Sequence, residues 1–166
     1  MTVQSPVLSE LQQKAVWEGW LSSEIRANYF ADLAYRFARG QKICNWSMLV
    51  ISSGAFYSAA KEVGNEVVVG LTLAGAALSA FSLLQQNQKR VTDALDLQSR
   101  WHRLANEFQS LWDDMYSEEA RTKFAMLEEK VVELSKSGAT LPNREKLMLK
   151  WQKHVEMMHL GRPVSA

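Results

Sequence analysis

A chain of 166 residues with a formal charge of +1 has room for one domain or one compact membrane unit, and it has no overall basic field of the kind that marks a nucleic-acid binder. The single cysteine, Cys44, excludes an intramolecular disulfide. Only three prolines interrupt a composition rich in Ala, Leu, Glu, Gln and Lys, which reads as all-α.

Three regions are expected in chain order. Residues 1–41 form an amphipathic cytoplasmic helix, 42–86 a transmembrane hairpin, and 87–166 a C-terminal helical region. In the first, a helix runs from about Val7 to Gly40, with Ser9 as its cap and Gln12 three residues on. Leu21, Ile25, Tyr29, Leu33 and Phe37 supply its apolar stripe, Trp17 and Trp20 add bulk near its start, and its end is basic at Arg36, Arg39 and Lys42. The charges scattered through this region argue against a cleavable leader.

Two runs, 43–60 and 67–84, hold 18 uncharged residues each. At 1.5 Å per residue each gives about 27 Å of helix, near the lower limit for crossing a hydrocarbon core. A pair of buried helices in a soluble bundle is the competing reading. The six-residue polar connector Lys61-Glu62-Val63-Gly64-Asn65-Glu66 favours a tight membrane hairpin instead. Arg36, Arg39 and Lys42 precede the first run, and Lys89 and Arg90 follow the second, so both termini are expected in the cytoplasm. Trp46 and Tyr57, near opposite ends of the first run, suit the two interfaces.

Beyond the hairpin, Ala94, Leu97, Trp101, Leu104, Phe108, Leu111 and Met115 alternate spacings of three and four, an unbroken helical seam. A second seam runs through Ala120, Phe124, Leu127, Val131 and Leu134, with Ser117 as the expected cap of its helix and Ser137-Gly138 as its end. Leu141-Pro142 is expected to open a last helix carrying Leu147, Trp151, Val155 and Met158, which Gly161 stops.

The inventory for catalysis is thin, and no enzyme is expected. His154 and His159 are five apart and do not share a helix face, and His102 stands alone. Cys44 reads as a small apolar filler. Gly70 and Gly75 lie in an apolar run rather than in a phosphate-binding loop. The uncharged runs say more. Cys44, Ser47, Ile51, Gly54 and Ser58 form one stripe of small or weakly polar residues, and Thr72, Gly75, Ser79 and Ser82 form another. Such faces either pack closely against another helix or line a water path, while the face of Val67, Leu71, Ala74, Leu78 and Phe81 meets lipid. Two helices cannot enclose a conduit, so any pore needs several copies. Among the basic residues of the C-terminal region, Arg100 and Arg103 beside Trp101, and Lys150 and Lys153 beside Trp151, are candidates for holding a phosphate and stacking a base. Ordinary surface charge is the alternative.

The aromatic, basic stretch from Tyr29 to Arg39, the short hairpin, and the Trp-bearing segments Gln98–Leu104 and Phe108–Trp112 together resemble the SLATT family. These are bacterial two-transmembrane effectors encoded beside nucleotide-synthesising enzymes in antiphage systems. The resemblance implies a homo-oligomer, taken as a tetramer, in the bacterial inner membrane. It further implies a pore or ion channel acting by abortive infection and regulated by a nucleotide or oligonucleotide from a partner nucleotidyltransferase, with no catalytic residues and no other cofactor. The alternative is a non-conducting, membrane-anchored helical adaptor that recruits a protein partner.

Overall fold

The computed structural model describes residues 7–52, 70, 77 and 87–161. Among them the chain is all-α and contains no strand, with helices α1 (Glu10–Ser52), α2 (Asn87–Asp113), α3 (Ala120–Gly138) and α4 (Glu145–Leu160). By its internal contacts the chain divides into two compact units. One comprises Met1–Asp32 with Ala94–Ala166, and the other Leu33–Asp93.

The larger unit begins with the expected capping box. The Gln12 amide donates to Ser9 Oγ at 3.3 Å and the Ser9 amide donates to Gln12 Oε1 at 3.0 Å, which satisfies two backbone donors that a helix start leaves unpaired. Along the part of α1 in this unit the buried positions are Val16, Ser23, Ala27, Tyr29 and Phe30; of the expected stripe Tyr29, and further on Leu33 and Phe37, are buried, while Leu21 and Ile25 are only half-buried. The expected stripe stepped four residues at a time and therefore drifts about 40° per step around a helix of 3.6 residues per turn. The buried face follows the alternating three-four spacing instead. Gly19 lets α1 pack closely against Phe108 of α2. A Cβ there would stand 2.7 Å from Phe108 Cε1 and Cζ, so no larger residue fits without movement.

On α2 the seam from Ala94 to Leu111 is buried throughout. Met115 falls beyond the helix end and is half-buried. The turn into α3 departs from expectation. Glu119, not Ser117, occupies the cap position, and no side chain caps the helix. Ser117 lies inside the turn, where its carbonyl accepts the Ala120 amide at 3.1 Å and its Oγ is buried without a partner. Lys123 reaches back to Asp114 and Glu119 at 3.4 and 3.3 Å and ties the turn from outside.

Helix α3 ends at Gly138 as expected. The last helix starts at Glu145, three residues after Pro142. The reason is visible in the Tyr29 hydroxyl, which donates to the Pro142 carbonyl at 2.9 Å and accepts the Arg144 amide at 3.1 Å, holding this segment extended against α1. Leu147 and Val155 are buried and Trp151 half-buried, but Met158, expected on the same face, is 65% exposed. Gly161 stops α4 in a left-handed conformation, φ 59°, with its amide donating to Met157 O. The helix end is held by His159, whose Nε2 lies 2.8 Å from Glu24 Oε2 and whose ring meets Trp20 and Trp17 edge-on.

In the smaller unit α1 continues through Gly40 to Ser52 with no break where the amphipathic helix was expected to end. Leu33, Ala34 and Phe37 are buried. Further along, Ile43, Trp46 and Leu49 are 57, 60 and 61% exposed. Among the described residues no helix is long and apolar enough to cross a membrane. The expected span 43–60 is described only as far as Ser52, and 67–84 only at Gly70 and Ala77, both helical.

Candidate ligand-binding site

The residues expected to hold a ligand fall into separate places. Arg100 and Arg103 line a pocket of about 200 Å³ with Glu107, Lys130 and Glu133. None of Lys150, Trp151 and Lys153 belongs to it. Two of its three cations are already paired: Arg100 Nη2 meets Glu133 at 2.6 Å, and Lys130 meets Glu107 at 2.6 Å, while Arg103 is exposed. Lys150 and Trp151 converge on a carboxylate rather than on open space. Asp32 Oδ2 accepts from Lys150 Nζ at 3.0 Å and from Trp151 Nε1 at 3.3 Å, while Lys150 Nζ sits 4.7 Å from the Trp151 ring centre. Lys153 is exposed.

Trp101 corrects the expectation most sharply. Its ring is 1% exposed, so it offers no open face on which a base could stack. The Arg26 guanidinium lies 4.5 Å from its ring centre. Of the stripe residues, Ser47 is helical and its Oγ donates to the Ile43 carbonyl at 3.0 Å, a bond internal to α1, and Ile51 belongs to the same helix. Gly54, Ser58, Thr72, Gly75, Ser79 and Ser82 lie outside the described residues.

Arg26 itself was not singled out by the sequence. It stands on the buried side of α1, three residues after Ser23 and four before Phe30, in a position where an apolar residue is the rule. That lone arginine within a buried stripe is the signal that finds it. It borders a cavity of about 270 Å³ walled by Phe30, Trp101, Leu134, Leu141 and Met148, with Ser135 and Asn143 among its polar members. Burial lowers the Arg26 pKa from its ordinary value, since desolvation disfavours the charged form. Nη1 donates to Ser135 Oγ at 2.8 Å. Trp101 also borders this cavity, and its Nε1 is a buried donor without an acceptor.

This arrangement can bind and orient a ligand. It supplies a cation and hydrogen-bonding groups among apolar walls, with no nucleophile–base pair. Elsewhere among the described residues, no three of His, Cys, Asp or Glu converge as a metal ion requires. His102 and His154 are exposed. Compared with protein-family models, curated proteins and solved structures, the chain matches none of them.

Proposed function

We propose that the chain is a non-enzymatic, homo-oligomeric pore-forming effector of the bacterial inner membrane, with both termini cytoplasmic. Its larger helical unit serves as the part that senses a nucleotide signal from a partner nucleotidyltransferase in an antiphage response. The observation that carries the reading is the change of character along α1. After Arg36, Arg39 and Lys42 the same helix presents Ile43, Trp46 and Leu49, each more than half exposed, at the start of a run of 18 residues without a charge. Large apolar side chains grouped on an exposed helix face are costly in water and at home against lipid, with the tryptophan and the cations at the interface. On the far side of the second uncharged run, α2 opens with exposed Lys89 and Arg90, which fits the same cytoplasmic surface.

In this reading one of the two small-residue stripes lines the path, and a ligand shifts the pore between closed and open assemblies by binding one of them more tightly. Ion efflux from liposomes containing the purified chain tests it, with Gly75→Leu and Ser79→Leu as probes of the second stripe. Conduction that at least one of these substitutions reduces is the expected result. A chain that embeds in bilayers but does not conduct, either as the parent or as a toxic variant, is the anchored adaptor instead. Its uncharged runs would then be exchangeable for an unrelated hairpin without loss of function.

A further inference from the structure

The cavity beside Arg26 has the chemistry of an unfilled binding site, and we infer that it takes a small organic oxyanion: a phosphate ester or carboxylate on a flat or apolar body. The inference rests on the reading of this helical unit as a ligand sensor, but its test does not depend on conduction.

Charge is the first argument. Arg100, Lys123, Lys130 and Lys150 each meet a carboxylate at 2.6 to 3.4 Å. Arg26 is half-buried, and among the described residues it meets only a hydroxyl and the face of an indole. A desolvated guanidinium retains most of its strength for an anion, and its planar fork suits an oxyanion bidentately. The carbonyl end of α3 borders the same space, but the Lys136 and Gly138 carbonyls already accept the Ala139 and Leu141 amides. A helix end offers only about half an elementary charge in any case.

The second argument is the balance of polar groups. Arg26 has N–H groups left over after its bond to Ser135, and the Trp101 N–H nearby is unpaired. What Arg26 lacks is therefore an acceptor. The third is shape. Phe30, Leu134, Leu141 and Met148 wall a space of about 270 Å³, too large for a packing defect and just under the size of the smallest typical ligand pockets, about 300 Å³. Such walls favour a ligand with an apolar body over a bare inorganic ion.

The test is calorimetric titration of the full-length protein in detergent with phenyl phosphate and with inorganic phosphate. Phenyl phosphate is expected to bind saturably and more tightly than inorganic phosphate. Arg26→Met should weaken it about tenfold or more, Arg26→Lys should fall between, and the distant surface variant Lys14→Ala should match the parent. In parallel, the indole N–H resonance of Trp101, assigned with Trp101→Phe, should shift with the same midpoint. That readout decides the matter in the parent alone if Arg26→Met fails to fold. Absence of saturable binding, equal binding by folded Arg26→Met, equal affinity for the two phosphates, or a Trp101 resonance that does not move overturns the inference. None of these outcomes bears on whether the chain embeds in a bilayer.

Discussion

Helix α1 is one element with two kinds of surroundings. Between Glu10 and Asp32 its large apolar residues are buried or half-buried apart from Leu11, and the one glycine in its middle, Gly19, has Phe108 against it. Between Leu33 and Ser52 it exposes Tyr35, Ile43, Trp46 and Leu49, and Gly40 has open space where a side chain would stand. The contrast teaches that helical periodicity and environment are separate properties. A single run of favourable backbone can carry a water-excluding protein face at one end and a face suited to a different solvent at the other.

The contrast can be broken by substitution, beginning with the largest effect. Trp101→Ala, in the core of the larger unit, is expected to cost about 3–5 kcal/mol, read as a loss of thermal stability in detergent. Trp46→Ala on the exposed stretch should change it by less than about 0.5 kcal/mol. Equal losses in the two variants would show that the ends of α1 do not differ. Gly19→Ala should cost about 1–3 kcal/mol, because the new methyl group meets the Phe108 ring. Tyr29→Phe removes the hydroxyl that joins the Pro142 carbonyl and the Arg144 amide, and a loss of about 1–3 kcal/mol in chemical denaturation is expected from two bonds. Opposite in sign is Gly40→Ala, which should raise stability by about 1 kcal/mol, since a mid-helix glycine with open space beside it gains helix propensity and meets nothing.

Much of the larger unit was legible in the sequence, because alternating three-four spacing and end signals are local. The α2 seam, the Ser9–Gln12 box, the end of α3 at Gly138 and the Gly161 stop all follow from residues within a turn or two of each other. What escaped was set by distant contacts. The late start of α4 depends on Tyr29, more than a hundred residues earlier, and the failure of Ser117 as a cap depends on the path of the turn that buries its hydroxyl. The site shows the same division. Clusters of basic residues beside tryptophans drew attention to Lys150 and Trp151, but Asp32 from α1 already occupies the place a phosphate would take. Arg26, with no basic or aromatic neighbour within two residues, becomes conspicuous only when Trp101 and Ser135 are folded against it.

In the proposed function the C-terminal stretch of α1 enters lipid. The sole cysteine makes it directly measurable. Nitroxide labels at Cys44, and at Arg39→Cys and Ile51→Cys in a Cys44→Ser background, can be compared in proteoliposomes by their collision rates with oxygen and with a water-soluble nickel chelate. Oxygen accessibility that rises, and nickel accessibility that falls, from position 39 through 44 to 51 is the predicted result. Water-like accessibility at all three positions, in a chain that stays dispersed without detergent, would contradict it.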